Sequence, residues 1–413
     1  VSFVQKPKAQ LLKYFDEKTL RLDYYHCGNS VTEHFFFDEL IEEPYWAGSE
    51  TKLIDTNGYG NHFVEVRLAD TGELIFSRGF STLFDEWQTT AQAKNTDCCY
   101  PESVVIPFPR NKVVVSISSR NKNGVFEKKF EYAVDPKSQF IKKELEKFTV
   151  FDVVNSGPPA KKVDVVLLSE GYTVDQLELF KADCMKFADE FFSYKPYADN
   201  KDQFNFRGVW APSKEEGPDI PGEHIWKETA LNASYYTFNS ERYLMVNDYQ
   251  RIRDVAGNAP YDYIYILANT PKYGGGAIYN FYGISAAHHP GETGKIYIHE
   301  FGHLFAGLGD EYVGGVEYSD FYPSGIEPWE PNLTTLVDFD RKWKSMLPEG
   351  TEIPTQYKST AKDKLGVYEG GGYVSKGVYR PCFNCVMNNF HTIDVFCPVC
   401  IKAIEGMINF NCH

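Results

Sequence analysis

His299-Glu300-Phe301-Gly302-His303-Leu304-Phe305-Ala306-Gly307-Leu308-Gly309-Asp310-Glu311-Tyr312 is the stretch on which the reading of this chain turns. On a helix, residues four apart project from one face. His299 and His303 can therefore hold one zinc ion between them, and Glu300 stands beside them to take a proton from water. Ile296, Ile298, Phe301, Leu304 and Phe305 give the same helix apolar positions, so it can pack on a core while the histidines face a cleft. Gly307 is a natural stop, because glycine adopts the left-handed conformation that ends helices. A sharp turn there brings Asp310 back toward the metal as a third ligand. Two imidazoles and a carboxylate leave a fourth position open to water, as hydrolytic zinc requires.

The pattern HExxHxxxGxxDE resembles that of metzincin-type zinc peptidases, and in particular the bacterial IgA-peptidase family, whose members carry a similar HEFGHxFxGLxDEY block. The usual metzincin pattern has glycine three residues after the second histidine. Here Ala306 takes that place and Gly307 follows it. The step from Gly307 to Asp310 is still three, which favours Asp310 over Glu311 as third ligand. The other reading of the pair is a solvated turn, or carboxylates that orient a histidine from behind. The resemblance also implies a methionine in a tight turn beneath the metal. Met387, in Cys385-Val386-Met387-Asn388, holds the corresponding place, and the family has a similar Cys-x-Met followed by Phe-Cys-Pro-Val-Cys, here Phe396 to Cys400. The plainer alternative for Met387 is an adaptable core filler.

The nine cysteines divide into two sets. Cys27, Cys98, Cys99, Cys184 and Cys412 are scattered. Cys382, Cys385, Cys397 and Cys400 form CxxC-x11-CxxC, a spacing that permits a structural zinc held by four thiolates. The archaemetzincins, a related family, similarly combine Cys-x-Met with a later CxxC at a structural zinc. One or two disulfides in an exported protein, or a set of free buried thiols, fit the same residues.

At 413 residues the chain can bury one full core or two. A net charge of −15 argues against nucleic acid as a partner. No run of about eighteen or more apolar residues is present, so no transmembrane segment is expected. The chain begins at Val1 without an export signal, and a start without Met fits a trimmed form. The expected location is secreted, periplasmic or cell-surface.

Residues 1–150 read as strands. Thr19 to Cys27 alternates apolar and polar residues, Phe63–Leu68 and Leu74–Phe80 flank Asp70-Thr71-Gly72, and Val113–Ser119 and Val125–Tyr132 flank Asn123-Gly124. Short strands with turns between them predict an all-β sandwich domain, and the IgA-peptidase family is similar in carrying an N-terminal β domain. His26, His34 and His62 are isolated in this region and read as surface or satisfied histidines.

Asn155-Ser156-Gly157-Pro158-Pro159-Ala160 marks a linker over 151–162, since glycine and tandem proline disfavour both helix and central strand. Residues 163–413 then read as an α/β domain. A buried strand at Val163–Leu168 leads to Ser169-Glu170-Gly171-Tyr172-Thr173, where the family has a similar segment. A helix over Asp175–Tyr194 follows, with Phe180, Cys184, Phe187, Ala188 and Phe191 on one face, and then strands at Phe204–Trp210 and Tyr261–Leu267. The fold expected is an α/β metzincin-like zinc peptidase domain preceded by a β-sandwich. Tyr273 to Gly283, with three glycines in a row, is either an edge strand that can hold a peptide or a flexible loop. Side chains of His288 and His289 diverge on regular structure, which argues against a shared metal. Glu317 to Tyr379 has no clear period and is expected to shape the cleft. Tyr379 and Arg380 lie near the methionine turn without an assigned role.

The function these readings imply is a secreted or cell-surface zinc-dependent endopeptidase acting on host or extracellular proteins, immunoglobulin or another host glycoprotein among them, with Glu300 as general base. The competing classes are an inert adhesion or binding protein and a zinc hydrolase of non-peptide amides.

Overall fold

The computed structural model describes residues 8–291, 293–314, 322–323, 325–358 and 362–412. Short helix α1 (Lys8–Tyr14) leads into strands β1 (Phe15–Gly28), β2 (Glu33–Glu43), β3 (His62–Leu68) and β4 (Leu74–Phe80). Helix α2 (Leu83–Gln88) follows, then β5 (Cys98–Pro109), β6 (Val113–Arg120), β7 (Phe126–Val134) and β8 (Ile141–Lys142). They form two four-stranded sheets, ordered β5-β1-β2-β8 and β4-β3-β6-β7. Leu20, Leu22, Val104 and Ile106 of the first sheet and Val64, Val66, Val115 and Ile117 of the second are buried in one apolar cluster. The two-residue alternation seen in the sequence is thus the alternation between this cluster and the outer faces. A disulfide joins Cys27 to Cys99 where β1 and β5 pair.

The second part is built on β9 (Thr149–Val154), β10 (Val163–Glu170), β11 (Phe204–Trp210), β12 (Tyr263–Ala268), β13 (Gly275–Ala277) and β14 (Gly283–Ala286). Their order is β13-β14-β12-β10-β11-β9. The four inner strands run parallel, and β9 and β13 pair antiparallel at the two edges. Helices α3 (Leu177–Phe191), α4 (Tyr249–Ala256) and α5 (Thr293–Ala306) connect or cover the strands. A hairpin of β15 (Tyr368–Gly371) and β16 (Val374–Arg380), a single turn α6 (Val386–Asn389) and α7 (Pro398–Cys412) complete the chain.

Residues of β10 alternate between two cores, which is what a parallel strand buried on both faces requires. Val163, Val165 and Leu167 join Phe187 of α3, Phe301 of α5 and Ile404 of α7. Val166 and Leu168 face the other way, toward Ile252 and Val255 of α4. Leu83, Phe84 and Trp87 of α2 belong to that second core as well. Burial of each such side chain contributes ~1.5–3 kcal/mol, so the N-terminal region is fastened to the second sheet through α2.

Two sequence expectations need correction. Residues 151–154, read as part of a 151–162 linker, are instead the C-terminal portion of β9, which pairs with β11. The chain-breaking Gly157-Pro158-Pro159 comes only after that strand has ended. His26 and His62 are not isolated: β1 of one sheet and β3 of the other bring them edge to face, with ring centroids 5.3 Å apart and both buried. His26 lies 3.0 Å from Glu102 and 3.1 Å from Glu33, while His62 lies 2.7 Å from Asp85 of α2. Residues 317–321, 324 and 359–361 of the Glu317–Tyr379 region fall outside the described residues, as does Val1.

Candidate metal centre

Helix α5 buries Tyr297, Phe301, Leu304 and Phe305 in the core and turns His299, Glu300 and His303 toward a cleft of about 600 Å³. Gly302 lies on the packed side, where a Cβ would come 3.0 Å from Met387 Sδ and 3.3 Å from Leu308 Cδ1. The helix ends at Ala306, and Gly307 follows with a φ of +59°, so the stop read from the sequence falls at the expected residue.

Both histidines have one ring nitrogen pinned. His299 Nδ1 is 3.3 Å from the Val386 carbonyl, and His303 Nδ1 is 2.5 Å from the Leu308 carbonyl. A carbonyl can only accept, so Nδ1 carries the proton in each ring and the Nε2 lone pair is left for the cleft. The two Nε2 atoms are 3.2 Å apart, and Asp310 Oδ1 is 3.2 Å from one and 3.4 Å from the other. Three acceptors converging this closely repel one another unless a cation sits among them. Around a tetrahedral ion with N and O ligands at ~2.0–2.2 Å, neighbouring ligand atoms lie ~3.3–3.6 Å apart. The observed edges fit that shell, and Asp310 Oδ1 is buried without a hydrogen-bond donor. Burial works against protonation of His303, but the Asp310 carboxylate outweighs burial and raises its pKa from 6.5 to about 9. The same contacts, working against burial, hold Asp310 far below the usual carboxylate range.

The other oxygen of Asp310 accepts a hydrogen bond from Tyr373, in the turn between β15 and β16. Gly372 N–H donates to the Asp310 carbonyl at 2.8 Å. Asn332 clamps the preceding glycine, accepting from Gly309 N–H and donating to its carbonyl, each at 2.8 Å. Glu311 points away from the histidines, with Oε1 2.9 Å from Asn332 Nδ2 and 3.3 Å from Cys400 Sγ. Glu311 N–H donates to the Met387 carbonyl at 2.8 Å. Met387 itself is fully buried beneath α5.

Cys385, Cys397 and Cys400 gather with Glu311 so that their ligand atoms lie within 4.8 Å of one another. Cys382 stands beside Cys397, outside that tight group. The sequence reading of four equivalent thiolates therefore meets a difference: a carboxylate sits where only sulfur was expected, because the turn at Gly309 sends Glu311 inward. Cys385 Sγ and Cys400 Sγ are 3.7 Å apart, well beyond the ~2.05 Å of a disulfide. Burial pushes the thiols of Cys385, Cys397 and Cys400 up.

Several cleft residues carried no signal in the sequence. Arg242 faces the cleft; burial works against its charge, but the Tyr312 and Tyr273 hydroxyls outweigh this and raise its pKa. Burial pushes the Glu300 carboxyl up, while His299, His303 and Arg242 pull it down. Thr82, Asp85 and Glu86 reach the same cleft from the N-terminal region. Strand β13 lines it too, and the Tyr273–Gly283 segment is thus an edge strand followed by a turn into β14. Arg380 donates to the Glu311 carbonyl and to Asn388 Oδ1, so it braces the turn. His288 and His289 part company, one to Asp183 and the other to the Pro271 carbonyl.

A helix-borne histidine pair, a carboxylate facing it and a glutamate in an open cleft form the arrangement by which metallopeptidases hydrolyse amides. Two family models match the chain. One, IgA Peptidase M64, covers residues 151–364 and 358–408, and the other, Peptidase M64 N-terminus, covers 10–131. The chain belongs to the IgA peptidase M64 family and is a metallopeptidase-type hydrolase, which implies a metal ion and a protein or peptide substrate. No curated protein matches the chain. Among the described residues, no helix is long and apolar enough to cross a membrane.

Proposed function

We propose that the protein is an exported zinc endopeptidase with a metzincin-like catalytic domain and a β-sandwich at its N-terminus. The observation that carries this reading is the triangle of His299 Nε2, His303 Nε2 and Asp310 Oδ1, with edges of 3.2–3.4 Å and both Nδ1 atoms committed to carbonyls. These three residues are the ligands. A bound zinc ion supplies Lewis acidity at the scissile carbonyl and lowers the pKa of water. Glu300 takes the proton from the attacking water and passes it to the leaving amine. Val386 and Leu308 keep the imidazoles in the ligand tautomer, and Tyr373 holds the carboxylate in line. Met387 serves as the turn beneath the site, and β13, whose Gly275 N–H is taken by the Arg242 carbonyl, lines the cleft that receives the peptide.

A second, structural zinc held by Cys385, Cys397 and Cys400, with Glu311 in the same group and Cys382 beside Cys397, is part of the proposal. Thiolates at ~2.3 Å from a tetrahedral ion lie ~3.8 Å apart, close to the 3.7 Å between Cys385 and Cys400. The Cys27–Cys99 disulfide supports an oxidising, extracytoplasmic location. The family's name makes immunoglobulin A the first substrate to try, alongside other extracellular glycoproteins.

Zinc content per chain tests the reading. Two ions in the wild type and one in a His299→Ala, His303→Ala variant are expected. Glu300→Gln should keep both ions and lose about 10²–10⁴-fold or more in turnover of an unfolded protein substrate. Wild-type turnover in Glu300→Gln would overturn the mechanism.

A further inference from the structure

The cleft has a wall that the catalytic sheet does not supply. Helix α2 belongs to the N-terminal region, yet its apolar residues Leu83, Phe84 and Trp87 are sunk in the second core of the α/β part. That leaves Thr82, Asp85 and Glu86 on the cleft. The helix is pinned at its N-terminal end. Asp85 Oδ2 accepts from Thr82 N–H at 3.0 Å, and its Oδ1 lies 2.7 Å from His62. Just ahead of it, Ser81 N–H donates to the Tyr279 carbonyl at 3.0 Å. A side chain carried by α2 is therefore fixed with respect to α5 and β13.

Glu86 is the carboxylate that this platform leaves without a cation. Asp85 is committed to His62 and the backbone. Arg242 is engaged by Tyr273 and Tyr312. Among the described residues, no lysine or arginine pairs with Glu86; its Oε2 accepts from the Tyr243 hydroxyl. The Tyr243 backbone in turn bridges Gly275 of β13, so Glu86 stands one side chain away from the strand that lines the cleft. Burial, with smaller contributions from Asp85 and Asp310, pushes the Glu86 carboxyl up to about 7, against the Tyr243 hydrogen bond and the charge of His303. A charged form so poorly compensated gains most from a cation brought by a ligand.

We propose that Glu86 is a specificity-determining residue, through which the N-terminal region selects peptide substrates carrying a lysine or arginine side chain at the subsite beside α2. The proposal rests on the peptidase reading above. It explains why α2 is packed into the catalytic sheet: a selecting carboxylate must keep its place relative to the scissile bond.

The test is a set of paired peptides that differ only by lysine or norleucine, scanned along positions on both sides of the cleaved bond. In the wild type, one position should favour lysine in kcat/KM by about 10- to 100-fold, the worth of a hydrogen bond to a charged group. In Glu86→Gln that ratio should fall toward one, and in Glu86→Lys the same position should favour glutamate. A charge preference is a readout that loss of a merely structural contact would not move. Absence of any lysine preference in the wild type, or an identical preference in Glu86→Gln, would overturn the proposal. Failure of the wild type to cleave any peptide would instead overturn the peptidase reading on which it stands.

Discussion

Asn332→Ala should damage the metal centre from a residue that never touches it. Asn332 is fully buried and makes three hydrogen bonds with the turn carrying Asp310: from Gly309 N–H and to the Gly309 carbonyl, each at 2.8 Å, and to Glu311 Oε1 at 2.9 Å. Each is worth ~1 kcal/mol net, so their loss comes to about 3 kcal/mol, with more added for any partner that stays buried and dry. The turn has little room to find substitutes, since even a Cβ on Gly309 would come 2.5 Å from Leu333. Loosening the segment beside Asp310 should also cost the metal about 10–100-fold in affinity, as loss of a ligand's supporting hydrogen bonds does. Urea unfolding of the metal-loaded protein measures the first quantity, and zinc competition against a chromophoric chelator measures the second. Unfolding within about 0.5 kcal/mol of wild type, together with unchanged zinc affinity, would refute the reasoning.

Tyr373→Phe removes the hydroxyl that donates to Asp310 and should weaken metal binding by about 10–100-fold in the same competition assay; wild-type affinity would show that the carboxylate needs no such guide. Gly307→Ala places a Cβ at a φ of +59°, 2.7 Å from the Trp329 ring and 3.1 Å from Tyr279. Backbone strain of ~1–2 kcal/mol and overpacking of ~1–3 kcal/mol should lower stability by about 2–5 kcal/mol, read as a shifted denaturation midpoint. The N-terminal network should show in stability against pH. Burial opposes the charge of His26, but Glu102 and Glu33 outweigh it and raise its pKa from 6.5 to about 9. Its contribution is therefore full below 6.5 and lost as pH rises toward 9. Glu33 is shifted the other way: burial raises it, yet His26, His62 and Ser119 bring it down from 4.5 to about 2, so its contribution is present above 4.5 and lost as pH falls toward 2. Urea midpoints of wild type and His26→Gln from pH 5 to 9 check the alkaline arm, and parallel curves would count against it.

What the sequence disclosed, and what it did not, divides along a physical line. His299, Glu300 and His303 are neighbours on one helix, so spacing alone places them together. Asp310 was legible because a left-handed glycine limits where the chain can go next. Strands such as β10, β11 and β12 were visible through apolar runs, to within two residues at each end. By contrast, Asn332, Tyr373, Arg242 and Glu86 reach the cleft or its supporting turn from distant segments, and a lone asparagine or tyrosine has no period to betray it. The Cys27–Cys99 bond depends on the register of β1 against β5, and the meeting of His26 with His62 on how two separate sheets pack, neither of which local sequence sets. Glu311 was ambiguous for a different reason: two adjacent carboxylates must point apart, and only the clamp at Gly309 decides which goes where.

Helix α5 sits between parts made earlier and parts made last. A nascent chain that has emerged through Asp310 already holds all three side chains of the proposed catalytic centre, yet it lacks the Val386 carbonyl that sets the His299 tautomer and the Tyr373 hydroxyl that aims the carboxylate. It also lacks Cys397 and Cys400, against which Glu311 is seated. Hydrolytic power should therefore be absent during nearly all of translation, and a proteolytic nick anywhere between the hairpin and α7 should extinguish it.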